Sequence, residues 1–365
     1  MKTEITSLEL YYLLKELKPL VGGRIEKIYQ KDKSFMFVIH VRGEGKKFLK
    51  VSFPGAIYLT EHREDYSELP GFCKFLRKRL MRTSIESIEQ KGFERILEFK
   101  IQAKDELLVV IIELFSNGNL LVCDGNYKVI SALESHKWKD RTIRGGIKYA
   151  YPPEQNNVLL LNEEDFCEII KKSDKDSIVK SLAIDLNLGG LYAEELCLLA
   201  GVDKSKKNLS KKDIIKVFKK LKLLLSKMVC ANIVGDEILP FNLKSLDSVG
   251  KKFSSFSEAI DSKLSKKIVE ELETAKDTRK QETIDKVMAI IHQQEQTING
   301  LKKSMKENQR KGELIYEHYE IVKKTLDSIN KARDKFSWKE IKEELKGHKV
   351  VKKIDEKQGK ITLEI

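Results

Sequence analysis

Apolar and polar residues alternate through much of the chain up to about Tyr151, with the period of two that is typical of β-strands. The turn sequences Gly43-Glu44-Gly45 and Ser116-Asn117-Gly118 separate neighbouring segments, as hairpin connections do. The pattern therefore predicts antiparallel strands at Arg24–Tyr29, Ser34–Arg42, Lys46–Phe53, Ala56–Thr60, Ser84–Gln90, Glu94–Ala103, Leu107–Phe115 and Asn119–Cys123.

Two helices accompany these strands in the sequence. The segment Thr3–Leu20 spaces its apolar residues for one helical face and contains the capping sequence Thr6-Ser7-Leu8-Glu9. A shorter helix begins at Phe72 and carries basic side chains around its apolar side. We expect residues 1–155 to form an α+β domain, in which two small sheets pack against these helices.

Helical spacing replaces the alternation after about residue 160. The segment Lys180–Ala200 contains an apolar stretch, the glycine pair Gly189-Gly190 and a new helix start. This order is typical of a helix-hairpin-helix, whose backbone N–H groups hold a phosphate, although two glycines also occur in plain helix connectors. We expect a helix-hairpin-helix domain over residues 160–250, which includes nine lysines between Lys204 and Lys222.

A longer helical pattern begins at about residue 255. Apolar residues at alternating steps of three and four predict a coiled-coil seam with a polar layer at Gln294. The pattern favours an antiparallel helical hairpin over residues 255–347 that turns near Asn308–Gly312, and the alternative is a coiled coil between two copies, which would make a homodimer. Residues 348–365 are predicted to begin a β-hairpin, within which we expect the chain to stop.

The charge of the chain narrows the choice of partner. Its 365 residues carry a formal net charge of +13, which favours nucleic acid or an acidic membrane surface through counterion release or surface potential. No apolar run approaches the roughly 18 residues that cross a bilayer, and no signal-peptide pattern follows Met1. We therefore expect a cytoplasmic protein without a membrane partner.

Cysteine and histidine usage argues against a metal or cofactor site. The five cysteines lie far apart and form no CxxC pair, and the six histidines lack metal-ligand spacing. No P-loop, GxGxxG or nucleophile motif occurs in the sequence. We expect no catalytic residue, no bound metal and no cofactor.

The order of several segments resembles a known family. GGRIEKIYQ, FCKFLRKRLMRTSIESIEQKGFERILEF, VVIIELFSNGNLLVCD and RTIRGGIKYAYPP follow one another as in the N-terminal domain of the NFACT family. This family comprises the ribosome quality-control factors RqcH and nuclear export mediator factor, and its bacterial members are also called fibronectin-binding proteins. Tyr-Ala-Tyr-Pro-Pro looks like the archaeal form in particular.

The resemblance implies a fold and a function. The implied fold is a two-sheet domain like the N-terminal domain of formamidopyrimidine-type DNA glycosylases, then a helix-hairpin-helix domain and a coiled-coil hairpin. The implied function is non-enzymatic binding of tRNA and of the large ribosomal subunit, through its rRNA and the peptidyl-tRNA that obstructs it, in support of untemplated alanine addition to the stalled chain. Family members continue into an RNA-binding domain and a C-terminal domain, which we expect this chain to lack.

The resemblance also implies tRNA-contacting residues. The family's acidic residue in the first helix falls on Glu9, its Asp-Arg pair on Glu94 and Arg95, and its acidic residue in the third meander strand on Glu113. Glu9 and Glu94 replace the usual aspartate, which keeps the charge and changes the reach. An arginine beside a sheet contacts phosphate or stacks on a base. The alternative for Glu94 and Arg95 is an exposed charge pair that does little.

Further residues are predicted to form a phosphate or RNA surface. Trp138 lies close in sequence to two arginines, and cations beside an aromatic ring are typical of such surfaces, although the tryptophan alternatively packs in a strand that closes the domain. The predicted surface comprises Arg77, Lys78, Arg79, Arg141, Arg144, Gly189 and Gly190.

Two other functions stay open. The family's fibronectin-binding name suggests an adhesin or scaffold protein, against which the missing export signal argues. The implied likeness to DNA glycosylases suggests a repair enzyme or a related nucleic-acid-binding protein. Those enzymes attack with an N-terminal proline amine, whereas this chain begins Met-Lys-Thr-Glu, so the nucleophile is absent.

Overall fold

The computed structural model describes residues 4–62, 69–138, 141–153, 156–246, 250–355 and 358–365, and it describes only the backbone at 265–280 and 282. Two compact units divide the chain, residues 1–270 and residues 271–365, and each is described by itself. The predicted helix start at Thr3 lies outside the described residues. The four predicted domain boundaries stay a prediction.

One antiparallel sheet of nine strands dominates the first unit, in the order β4-β3-β2-β1-β5-β6-β7-β8-β9. The predicted division into two small sheets is therefore wrong. Backbone bonds from Ile25 N to Thr83 O, 2.9 Å, and from Arg82 N to Ile25 O, 2.7 Å, join the two halves. The strands are β1 Arg24–Lys31, β2 Ser34–Val41, β3 Gly45–Ser52, β4 Ala56–Thr60, β5 Ser84–Gln90, β6 Ile96–Gln102, β7 Leu107–Glu113, β8 Asn119–Asp124 and β9 Val129–Ala132.

Both halves of this sheet contribute to one apolar core. Phe37 and Leu49 from the first half share the core with Phe99 and Val110 from the second. Because successive side chains of a strand point to opposite faces, β6 and β7 also bury a second set of apolar side chains, on the other face of the sheet, against the segment that follows β9. That second cluster contains Ile96, Val109, Ile111, Leu121, Cys123, Val129, Ile143 and Tyr149.

Helix α1, Ser7–Leu17, begins with the predicted capping box. The Thr6 hydroxyl accepts from Glu9 N at 3.2 Å, and Glu9 Oε2 accepts from Thr6 N at 2.8 Å. Two backbone N–H groups that have no partner within the helix are satisfied in this way. Helix α2, Gly71–Leu80, packs Leu76 and Leu80 into the same core as α1.

A helical region follows the sheet within the first unit. Its helices are α3 Glu163–Lys172, α4 Ile178–Lys180 with the π-type turn Ser181–Asp185, α5 Gly190–Ala200 and α6 Lys211–Leu225. Their core includes Phe166, Leu182 and Leu221 together with Leu8 and Tyr12 of α1, so this region packs directly on the first helix. Two smaller sheets also belong to the first unit. Strands β10, His136–Lys137, and β11, Thr142–Ile143, form a two-stranded sheet. Strands β12, Asn232–Val234, β13, Glu237–Leu239, and β14, Lys251–Lys252, form a three-stranded sheet after α6.

Helix α7, Phe256–Glu317, runs through the predicted hairpin turn near Asn308–Gly312, so that turn is wrong. Only His318 separates α7 from α8, Tyr319–Arg333, and backbone bonds on both sides of His318 keep the helical pattern. A single glycine costs a helix interior only about 1 kcal/mol, so Gly312 does not have to end it. The apolar seam is exposed at Ile284, Val287, Ile291, Ile298, Leu301 and Met305, and the homodimer alternative stays a prediction.

The end of the chain confirms the predicted β-hairpin. Helix α9, Trp338–Glu344, is followed by β15, Val351–Asp355, and β16, Lys360–Leu363, which pair antiparallel. Ile329, Ile341, Val351 and Ile354 form the apolar cluster under them. Across the described parts of the chain, no helix combines the length and the apolar character that crossing a bilayer requires.

Candidate nucleic-acid interface

Several predicted site residues come together at the start of α1, although they lie far apart in sequence. Three segments meet there: the residues around the α1 cap, the turn between β5 and β6, and the connection between the π-type turn and α5. Hydrogen bonds link each segment to the next. We call this group the junction cluster, and it comprises Glu4, Glu9, Glu94, Arg95, Asn187, Gly189 and Tyr192.

The predicted pair Glu94 and Arg95 lies in the turn before β6 and not in the strand itself. Arg95 Nη1 is 2.6 Å from Glu4 Oε2, and the Asn187 side-chain amide donates to Glu94 Oε2 at 2.9 Å and to Phe93 O at 3.1 Å. Both members of the pair are half-exposed. The pair is therefore held in position by other segments while it stays accessible to a ligand.

Glu9 is fully buried, at 0% exposure. Its Oε1 accepts from the Tyr192 hydroxyl at 2.7 Å, and its Oε2 accepts from the α1 cap. Burial and then the Glu9 charge raise the pKa of Tyr192 well above its ordinary value, so the phenol stays protonated and donates. Glu9 thus ties α1 to α5, and a direct contact to RNA requires this junction to open.

We expect Tyr192→Phe to lower the free energy of unfolding of the first unit by about 1.5–3 kcal/mol, because the buried Glu9 carboxylate loses a donor. Urea unfolding measures the change. Tyr11→Phe is the matched control, since the Tyr11 hydroxyl has no hydrogen bond among the described residues. Equal midpoints for the two variants would contradict the assigned role of Glu9.

Glu113 belongs to a second cluster, at the end of β7. Arg141 Nη1 lies 2.7 Å from Glu113 Oε1, Arg141 Nη2 lies 3.3 Å from Glu113 Oε2, and the Tyr149 hydroxyl donates to Glu113 Oε1 at 2.7 Å. The side chains of Arg141 and Glu113 are only 10% and 3% exposed. Burial and the Glu113 charge raise the pKa of Tyr149. In this structure, the side chains of Glu113 and Arg141 are therefore not accessible for the predicted direct contacts to RNA.

Trp138 covers this ion pair. The Arg141 guanidinium carbon lies 4.6 Å from the centre of the indole ring, and Trp138 N donates to Arg141 O at 2.9 Å in the β10–β11 hairpin. The tryptophan is nevertheless 42% exposed. It is therefore not packed away in a closing strand. We call Trp138, Arg141, Glu113 and Tyr149 the Trp138 platform.

A third cluster, around Glu98, was missed by the sequence analysis. Glu98 is 1% exposed, and it lies 3.1 Å from Lys91 Nζ and accepts from the hydroxyls of Tyr127 and Tyr151. Burial lowers the pKa of Lys91, but the hydrogen bond and charge of Glu98 outweigh it and raise that pKa. The sequence does indicate this cluster, because Glu98 lies inside an otherwise largely apolar strand and a buried charge needs a partner. Lys91 anchors the turn that presents Glu94 and Arg95.

The remaining predicted cations differ in accessibility. Arg77 Nε donates to Ile28 O at 2.6 Å and its guanidinium lies over the Tyr29 ring, whereas Arg79 pairs with Glu106 at 3.0 Å. Lys78 and Arg144 are exposed. Within the described ranges, no three His, Cys, Asp or Glu side chains are grouped to hold a metal ion.

The glycine turn before α5 belongs to the junction cluster. Gly189 has φ +77°, a conformation that side chains rarely adopt, and a Cβ there would lie 3.5 Å from the Thr6 methyl. Gly190 is exposed and begins α5. The predicted phosphate-type turn thus lies against Thr6 of the α1 cap, and Asn187, two residues earlier in the chain, positions the Glu94 and Arg95 turn.

Relatives of known name match most or all of the chain. The archaeal Rqc2 homolog aRqcH of Methanocaldococcus jannaschii is 28% identical, over 100% of this chain and 58% of its own length. The human ribosome quality control complex subunit NEMF is 23% identical over 93% of this chain and 35% of its own length, and the Bacillus subtilis Rqc2 homolog RqcH is 26% identical over 84% and 57%. The chain thus spans less than two thirds of the length of these relatives.

A solved structure supports the fold. The N-terminal part of the fibronectin/fibrinogen-binding protein from Streptococcus suis superposes with a TM-score of 0.61 at 24% identity, over 72% of this chain and all of that one. The family model described as NFACT N-terminal and middle domains matches residues 6–362. The chain belongs to the NFACT family.

Proposed function

We propose that the chain acts in the cytoplasm as a non-enzymatic factor of ribosome-associated quality control. It binds tRNA and the large ribosomal subunit, through rRNA and the obstructing peptidyl-tRNA, and supports untemplated alanine addition to the stalled chain. The names of the human relative, a ribosome quality control complex subunit, and of the archaeal and bacterial relatives, Rqc2 homologues, support this role. The ribosome supplies the peptidyl transfer, so the chain needs neither a catalytic group nor a cofactor.

The geometry of Arg95 supports the tRNA-binding part of the proposal. Its guanidinium is half-exposed and oriented by Glu4 at 2.6 Å. An oriented guanidinium stacks on an unpaired base, or exchanges its carboxylate for a phosphate, with little loss of side-chain freedom. Glu94, oriented by Asn187, accepts from a base amino group or a ribose hydroxyl. The net charge of +13 adds attraction at long range.

The test measures tRNA binding by anisotropy of a labelled tRNA. We expect Arg95→Ala to weaken binding by about 1–3 kcal/mol, or roughly 5- to 150-fold, as for loss of one specific arginine contact. Arg42→Ala is the matched control, because it removes the same charge from an exposed position in the first unit. If both variants bind tRNA equally, Arg95 acts only through net charge and the site assignment is wrong.

The fibronectin-binding alternative gains no support from the solved structure. At 24% identity the likeness to the Streptococcus suis protein shows the fold alone. No feature of the described surface favours that partner over RNA. We therefore do not propose an adhesin function.

A further inference from the structure

We propose that a recess beside Trp138 takes one unpaired nucleobase of a bound RNA, stacked against the exposed indole ring. The inference rests on the proposed RNA-binding function and adds a binding position separate from Arg95. The recess lies at the end of β7 and has a volume of about 110 Å³. One water needs only roughly 10–15 Å³, so the recess has room for a ligand much larger than a single water.

The chemistry of the lining favours a neutral, planar ligand over a phosphate. Among the described residues, the lining contains no lysine or arginine; it comprises Glu113, Phe115, residues 116–119, His136 and Trp138. The Glu113 charge is neutralised by Arg141, and His136 Nε2 lies 3.1 Å from Glu134. A phosphate would find no free cation among the described residues of these walls. Aromatic walls without a free charge are suited to base stacking, which every base provides through its π-face.

The Trp138 ring is held in place before any ligand arrives. Arg141 lies under it at 4.6 Å, the His136 ring lies 4.9 Å away at an interplanar angle of 39°, and Arg141 is itself held by the buried Glu113. The Tyr149 hydroxyl donates to the same Glu113 oxygen, Oε1, that Arg141 Nη1 contacts. A ring that is already ordered loses little freedom on binding, so more of the stacking energy appears as affinity.

The rim of the recess supplies polar groups that face solvent. Ser116 and Asn117 are exposed, and their side chains make no hydrogen bond to the described residues. An amide offers both donors and an acceptor, which matches the mixed edge of a base. Gly118 fixes this turn, because it has φ +70° and the position of its missing Cβ lies 2.3 Å from the Phe53 ring. The rim therefore combines a backbone position that only glycine suits with two side chains that face solvent.

Intrinsic fluorescence tests the proposal directly. The chain has two tryptophans, so Trp338→Phe leaves Trp138 as the only indole. We expect a short single-stranded RNA to quench Trp138 saturably and an abasic ribose-phosphate chain of equal length to leave it unchanged. In the wild-type background, Trp138→Ala should weaken binding of a labelled short RNA by roughly 5- to 150-fold, the effect of losing one base–aromatic stack. Trp138→Phe keeps a ring and should retain most of the affinity.

Two results would overturn the recess assignment: equal quenching by the abasic chain, or equal affinity losses for Trp138→Ala and Trp138→Phe. Quenching by an aromatic peptide and not by RNA would also overturn it. Binding of labelled tRNA, measured in parallel, separates the recess proposal from the proposed tRNA contact of Arg95. Binding of tRNA without any quenching by RNA rejects the recess alone, whereas quenching by RNA with no effect of Arg95→Ala on tRNA binding rejects the Arg95 site alone.

Discussion

Replacing Arg141 with methionine should lower the free energy of unfolding of the first unit by about 3–5 kcal/mol, because the variant leaves a buried carboxylate without its counter-ion. Glu113 is 3% exposed and receives two hydrogen bonds from Arg141 and one from Tyr149. Tyr149 alone supplies one neutral donor, which does not compensate the charge. Urea unfolding followed by Trp138 fluorescence, in a Trp338→Phe background, measures the loss.

Two further variants decide whether the buried charge is the cause. Arg144→Met makes the same change at an exposed position and should alter stability by less than about 0.5 kcal/mol. Adding Glu113→Gln to Arg141→Met removes the unpaired charge and should recover most of the loss. If the double variant is as unstable as Arg141→Met, the lost packing of Arg141 on Trp138 dominates and the electrostatic account is wrong.

Replacing Gly118 with alanine should destabilise the first unit by about 2–5 kcal/mol, the sum of a backbone term and a steric term. Gly118 has φ +70°, where a Cβ meets the following carbonyl, and the new Cβ would lie 2.3 Å from Cδ1 and 2.9 Å from Cβ of Phe53. The Phe53 side chain cannot swing away at its tip, because the close atoms include its stem. Thermal and urea unfolding give the size of the effect.

Gly146→Ala separates the backbone cost from the steric clash. Gly146 has φ +85° with no atom within 4 Å of its missing Cβ, so the substitution carries only the backbone cost of about 1–2 kcal/mol. The excess loss of Gly118→Ala over Gly146→Ala is then the clash with Phe53. Equal losses would show that the turn moves to accept the methyl group.

The sequence predicted most strands because their alternation is local. The link between β1 and β5 was not predictable, because it consists of one ladder pair, Arg24 with Ser84, and a few flanking backbone hydrogen bonds across a long sequence separation. The prediction of a hairpin turn in the coiled-coil segment was wrong for a related reason. Gly312 is compatible with both a turn and a helix, and the helix needs only local hydrogen bonds to continue through it.

The candidate site was predicted in part. The resemblance supplied Glu9, Glu94, Arg95 and Glu113, but strand patterns do not reveal which charges are buried. Strands β6 and β7 are covered on both faces, by the main core on one and by the Ile96 and Tyr149 cluster on the other. A carboxylate in such a strand is therefore enclosed and paired, as Glu98 and Glu113 are. The partners Arg141 and Tyr149 come from distant segments, Lys91 comes from the turn before β6, and these pairings become visible only in three dimensions.

Asn187 affects how loss-of-function substitutions in this protein should be interpreted. A side chain from the helical region holds both the Phe93 carbonyl and the Glu94 carboxylate. For the proposed RNA binding, a genetic screen for defective variants will therefore recover changes in the helical region that never touch RNA, alongside changes in the contact residues. Footprinting on the RNA separates the two classes, because a displaced turn loses every contact at once whereas a missing contact alters a single nucleotide.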